Sequence, residues 1–260
     1  MLDISTMTPV EHRGKYYFKR DDLYSVCGVY GGKSRAAFQI VTDAISKKAK
    51  GIVTAGSRQS PQCEIISCIC EHYKIPCFLF MPPGSDTTVI TNINKNSCST
   101  IIRSKVGYNS VIISDAKKYA IENGLYYVPF GMEMKENVDI TMKQVENIPP
   151  VVKRIVMPVG SGMSMASVLS GLDYFNRTDI EVLGVQVGKD PTKILETYYS
   201  INSYPPRINY KIVKSNLDYH KSPEKRNLEG IDLDPIYESK CIPFMKDNDL
   251  LWIVGHRIYD

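Results

Sequence analysis

Lys33 stands directly after two glycines in the stretch "VYGGKSRAA", residues 29–37, and a run of small residues follows it. A long cationic side chain on a flexible glycine pair can reach into a cleft. There it could bind a phosphate, pair with a carboxylate or form a Schiff base with a carbonyl. Three other stretches could supply the chemistry around it. In "PVGSGMSMASVLSGL" (158–172) an apolar run enters Gly160-Ser161-Gly162-Met163-Ser164 and then a helical pattern. Converging backbone N–H groups and a helix N-terminus make such a turn a phosphate cradle, with Ser161 and Ser164 as hydroxyl donors. A plain strand-to-helix turn has the same pattern. The stretch lacks the GK[ST] ending of a P-loop, and Met165 replaces the third glycine of the dinucleotide fingerprint.

In "TAGSRQSPQCE" (54–64) Ser60 and Pro61 are a preferred cap and first residue of a helix. The same geometry lets the Ser60 hydroxyl, the Gln62 amide and the free N–H groups of the helix start hold a substrate carboxylate. In "DLDPIYESKC" (232–241) Tyr237 and Glu238 are adjacent. They would diverge in a strand and could line one cleft from a loop or helix start. A phosphate cradle, a carboxylate pocket and a reachable lysine together point to pyridoxal phosphate acting on an amino acid.

The elements that must position these groups alternate. Strand-like runs lie in "GIVTAG", "IPCFLFMP", "STIIRS", "LYYVPF", "VKRIVMPVG", "IEVLGVQVG" and "LLWIVGH". Helical patterns lie between them, including 61–73 and "SDAKKYAIENG" (114–124), the latter with Ser114 as cap and Gly124 as stop. The alternation predicts an α/β fold with mostly parallel sheets covered on both faces. The 260 residues suffice for two such lobes. The net charge of +4 is scattered and demands no nucleic acid. The seven cysteines follow no disulfide framework and suggest reduced thiols; the pair Cys68 and Cys70 has the wrong spacing for common zinc sites. The start of the chain has no apolar signal core, and no apolar run approaches the roughly 20 residues of a membrane span. A cytoplasmic location is the expectation.

In order along the chain, these stretches resemble the fold-type II pyridoxal-phosphate enzymes, in the branch of 1-aminocyclopropane-1-carboxylate deaminase and D-cysteine desulfhydrase. "TPV" and "FKRDDL" resemble the family's opening, "GGKSR" its GNKxR, and "TAGSRQSPQ" its TxGxxQSNQ. "GSGMSMA" resembles its phosphate loop GSGGTxAG, "DPIYESK" its DPVYEGK, and "LLWIVGH" its late strand ending in His256. The resemblance implies two lobes: residues 1–44 with 136–260 as the large cofactor domain, and 45–135 as a small inserted one. It implies that Lys33 holds the cofactor and moves protons. Gly160, Ser161, Gly162, Met163 and Ser164 would take the phosphate, and Glu238 would sit by the pyridine nitrogen. Gln59, Ser60 and Gln62 would face the substrate carboxylate, and Tyr237, with Tyr219, would stand next to the substrate.

The implied activity is that of a deaminase or lyase on a small amino acid, releasing a keto acid and ammonia, in a homodimer. The alternatives are β-replacement, modification of an amino acid carried on a larger molecule or nucleic acid, and a cofactor-binding homologue without catalysis. Three departures mark this chain. Gly32 and Pro61 replace asparagines of the family pattern, and Met163 replaces a glycine of its phosphate loop. An apparent deletion between Tyr219 and Asp234 would open the rim to a larger substrate.

Overall fold

The computed structural model describes residues 4–105, 107–200 and 206–255. In chain order the first elements are β1 (Val10–Arg13), β2 (Tyr16–Arg20), β3 (Ser25–Val26), β4 (Val29–Tyr30) and α1 (Gly32–Ser46). Next come β5 (Ile52–Ala55), α2 (Pro61–Tyr73), β6 (Cys77–Met81), α3 (Thr88–Ile93), β7 (Ser99–Arg103), α4 (Asn109–Asn123) and β8 (Tyr126–Val128). Then follow α5 (Lys135–Thr141), β9 (Arg154–Val159), α6 (Met163–Tyr174), β10 (Glu181–Gln186) and α7 (Thr192–Leu195). The last are β11 (Tyr210–Lys214), β12 (Asn227–Leu228), β13 (Ile231–Asp232) and β14 (Leu250–Ile253).

The chain divides into two compact units. One runs up to Tyr24 and resumes at Asn137; the other is Ser25–Glu136. The first boundary therefore falls earlier than the expected 44/45. The reason is packing: α1 lies on α2 and on the β3–β4 hairpin, so it goes with Ser25–Glu136 and takes Lys33 with it.

In the first unit the sheet order is β1-β2-β14-β9-β10-β11. Only the β1–β2 hairpin is antiparallel; the other neighbours run parallel. Alternation along the strands divides the core between the two faces. Ile155, Met157 and Val159 of β9 join Leu250 and Trp252 under α6. Val156 joins Leu251, Ile253, Leu228, Leu233 and Cys241 on the opposite face. Residues around 238–244, which include Glu238, are therefore held on the face away from α6.

In the second unit the order is β7-β6-β5-β8, all parallel. Ile112, Ala116 and Ala120, four residues apart on α4, pack on Val53, Ala55 and Phe80. The helix begins at Asn109 with Tyr108 in the cap position, five residues before the expected Ser114. Ile112 is the reason, because it adds one more buried turn to the apolar stripe. Gly124 ends the helix as expected, with φ 62°. No helix among the described residues is long and apolar enough to cross a membrane.

Candidate active site

Lys33 is the second residue of α1, half-buried, after Gly31 at φ 96°. That positive φ is open to glycine at little cost, which explains the first residue of the pair. Both the backbone N–H and the hydroxyl of Ser34 donate to the Gly31 carbonyl, at 3.0 and 2.6 Å, and close the turn that presents the lysine.

In the same unit, β5 ends at Ala55 and the loop 56–60 leads into α2. Ser60 occupies the cap position with extended backbone, and Pro61 is the first helical residue. The Ser60 hydroxyl makes no cap bond to the helix. It lies over Gly56, where an added Cβ would stand 2.7 Å from Ser60 Oγ and 2.5 Å from Cys63 Sγ. Glycine is thus required at 56 so that Ser60 and Cys63 can close over the strand end. Burial pushes the Cys63 thiol up to about 12, although the Ser60 hydroxyl opposes the shift, so the thiol stays protonated. Gln59 is exposed. Gln62 is buried, and its amide donates to Thr54 Oγ1 at 2.9 Å and to the Pro129 carbonyl at 2.8 Å. These bonds use both N–H groups, so Gln62 has none left for a substrate carboxylate. It ties α2 to the ends of β5 and β8 instead.

In the other unit β9 runs into the turn at 160–162, and α6 starts at Met163. The first helical bond runs from Ala166 N to the Gly162 carbonyl at 2.9 Å. The N–H groups of Met163, Ser164 and Met165 therefore have no acceptor within the helix. Ser161 Oγ lies 3.5 Å from Met163 N, at the limit of a hydrogen bond. The turn admits no larger residues without movement. Gly162 has φ 106°, and a Cβ there would lie 2.8 Å from Pro191 Cβ. A Cβ on Gly188, just after β10, would lie 2.7 Å from the Gly160 carbonyl oxygen. Open backbone donors on a glycine cradle suit the anionic phosphate of the cofactor. The Met163 side chain is buried in the unit.

Tyr237 caps a short 3-10 segment, Glu238–Phe244. Asp234 shapes the approach: its Oδ1 accepts from Ile236 N at 2.8 Å and Tyr237 N at 2.9 Å. Glu238 is fully inside, and its Oε1 accepts from Val254 N at 2.9 Å and Gly255 N at 3.2 Å, just beyond β14. Burial, reinforced by the negative charge of Asp234, pushes the Glu238 carboxyl up to about 8. A buried carboxyl poised near neutrality can exchange or share a proton with a cationic ring nitrogen, which fits the pyridine end of the cofactor. The Tyr219 and Tyr237 hydroxyls lie 3.0 Å apart, with their rings nearly perpendicular. Lys240 is buried and donates to the carbonyls of Asp218 and Tyr219.

Asp234, Thr54, Gly188 and Lys240 escaped the reading of the sequence. Asp234 carried a signal, since Asp-Pro favours a turn and an Asp side chain folds back on the next N–H groups. Lys240 carried none, because its partners lie 21–22 residues away, and the bond by which Thr54 reaches the end of β8 spans 74 residues. His256 lies outside the described residues. Among the described residues no group of His, Cys, Asp and Glu could hold a metal ion, and the seven cysteines are free.

The sequence profile described as "Pyridoxal-phosphate dependent enzyme" matches residues 4–212. A Thermotoga maritima protein named "Putative 1-aminocyclopropane-1-carboxylate deaminase" is 25% identical, over 86% of this chain and 81% of its own. The crystal structure of an ACC deaminase homologue superposes with a TM-score of 0.81 at 20% identity, covering 96% of this chain and 89% of that one. A pyridoxal 5'-phosphate-dependent aspartate racemase gives 0.71 at 10% identity, covering 97% and 91%. Threonine deaminase isoform 2 from Solanum lycopersicum gives 0.66 at 14% identity, covering 96% and 84%. At these identities the solved structures establish the shared fold.

Proposed function

The chain belongs to the pyridoxal-phosphate dependent enzyme family, and from that premise we propose that it deaminates a small amino acid to a keto acid and ammonia. When bound, the cofactor supplies an electron sink for charge developing at the substrate carbon. Lys33 is the amine that would hold it and the base that moves the proton at that carbon. The backbone N–H groups of Met163 and Ser164, with Gly160, Ser161 and Gly162, would hold the phosphate. Glu238 would face the ring nitrogen, whose positive charge draws the buried carboxyl back toward its ionised form.

Ser60 and the first-turn N–H groups of α2 would take the substrate carboxylate, with Gln59 at the rim. Gln62 supports them from behind through Thr54 and Pro129. Tyr237 and Tyr219, whose hydroxyls are in contact, would deliver or accept a proton beside the substrate. The observation that carries this reading is the buried Glu238 next to a tyrosine whose ring rests on the glycine turn. The Thermotoga relative's name points to the same class of reaction. A homodimer in the cytoplasm completes the proposal; seven free thiols are in keeping with that compartment.

The test is the visible spectrum of the purified protein with added pyridoxal phosphate, followed by a panel of amino acids with keto-acid and ammonia detection. Wild type should be yellow, and Lys33→Ala should lose both the covalent chromophore and turnover. A colourless wild type would overturn the assignment. A product that appears only with added thiol or amine would replace deamination with β-replacement.

A further inference from the structure

The short segment after Tyr237 makes a second connection that the proposed roles do not use. Lys240 lies three residues beyond Tyr237, and its backbone N–H donates to the Tyr237 carbonyl at 3.2 Å. In a 3-10 turn, residues three apart project on one side. Both side chains reach the same target. The Tyr237 hydroxyl lies 3.0 Å from the Tyr219 hydroxyl. Lys240 Nζ donates to the Tyr219 carbonyl at 3.0 Å and to the Asp218 carbonyl at 2.7 Å. It also lies 6.0 Å from the centroid of the Tyr219 ring.

Tyr219 belongs to the stretch between β11 and β12, with 38% of its surface exposed, and regular secondary structure does not hold it. Lys240, by contrast, is 2% exposed. A buried ammonium stays charged only where acceptors compensate its lost hydration. The two carbonyls of 218 and 219 supply that compensation, so their position and the burial of Lys240 depend on each other.

We propose that Lys240 is the positioning residue of the tyrosine pair, its buried ammonium holding the 218–219 backbone so that the Tyr219 phenol meets that of Tyr237. The inference rests on the roles proposed for Tyr219 and Tyr237. Lys240 touches the loop and leaves the reacting atoms to the phenols.

The test uses Lys240→Met, which keeps the stem and removes the ammonium, Lys240→Arg, which restores a cation, and Tyr219→Phe. In the cofactor-free folded protein, chymotryptic cleavage after Tyr219, mapped by mass, reads the tether alone. Lys240→Met should raise it about tenfold, as loss of a charge-assisted bond would, and Lys240→Arg should lower it again. In the loaded enzyme Lys240→Met should reduce kcat with little change in KM. It should add little further loss in a Tyr219→Phe background, because the two changes remove one interaction. Unchanged cleavage, or losses that multiply independently, would overturn the proposal. If cleavage rises while both Lys240→Met and Tyr219→Phe keep full kcat, the catalytic role given to Tyr219 is overturned while the tether itself stands.

Discussion

Gly160 lies beneath the ring of Tyr237: a methyl group on Gly160 would stand 3.2 Å from Tyr237 Cε1 and 3.7 Å from its hydroxyl oxygen. The glycine turn and the segment 234–240 are thereby placed against each other within one unit, although 77 residues separate Gly160 from Tyr237.

Gly160→Ala should push the Tyr237 ring off the turn. Overpacking of this kind costs roughly 1–3 kcal/mol. The variant should remain folded, with a weaker affinity for pyridoxal phosphate and a reduced kcat. An absorbance titration with the cofactor checks this, and wild-type affinity and rate together would show that the ring does not depend on the contact.

Gly162→Ala should be the harsher change. Its backbone is held at φ 106°, and the new Cβ would meet Pro191 Cβ at 2.8 Å. A non-glycine residue in such a region costs roughly 1–3 kcal/mol before any clash is counted. Denaturant unfolding should report a loss of at least this size in the cofactor-free protein. A change within about 0.5 kcal/mol, the level of an ordinary surface substitution, would refute it.

Glu238 gives a pH signature. Its carboxyl ionises near 4.5 in an exposed setting and near 8 in the folded, cofactor-free protein. Between those values the native state holds a proton that the unfolded chain releases. This contribution to stability is complete below pH 4.5 and is lost as pH rises through about 8. Glu238→Gln cannot titrate, so the difference in stability between wild type and variant should shift in the variant's favour across that window. The limiting slope is about 1.4 kcal/mol per pH unit. Melting temperatures of the two cofactor-free proteins from pH 5 to 9 provide the comparison, and parallel curves would contradict the assignment.

Gln62→Leu should weaken the second unit. It strips a donor from the fully buried Thr54 Oγ1 and from the half-buried Pro129 carbonyl, and an unsatisfied buried group costs roughly 1–3 kcal/mol. Hydrogen exchange at β5 and β8 should quicken while the first unit's strands keep their protection. Uniform exchange across both units would argue against a local role.

The parts that were legible in the sequence are those with local causes. Helix α2 follows its apolar spacing from Pro61 to Tyr73, and the strands β5 to β10 follow their apolar runs. The resemblance singled out Lys33, the 160–164 turn and Glu238 through glycine placement and local order. The β1–β2 hairpin was missed, because Val10–Arg13 has one apolar residue and Tyr16–Arg20 is a five-residue run that ends in Lys19 and Arg20, with no clear alternation in either. They earn their place by pairing: β2 lies beside β14, whose residues come more than 230 positions later. Ser114 looked like a cap by residue type, yet the buried Ile112 carries the helix past it. Gln62 is the same lesson at the site. Its position in the motif was readable, but its bonds to Thr54 and Pro129 depend on how β5 and β8 lie side by side.

Trp252 is the single tryptophan of the chain, and it sits fully buried in β14, 5.8 Å from the Lys19 ammonium. The Ser25–Glu136 unit contains tyrosines but no indole. Emission excited at the red edge of the absorption band therefore comes from one half of the molecule alone. Its quenching or red shift during denaturation marks the melting of the half that carries the glycine turn, with no labelling or engineered fluorophore required.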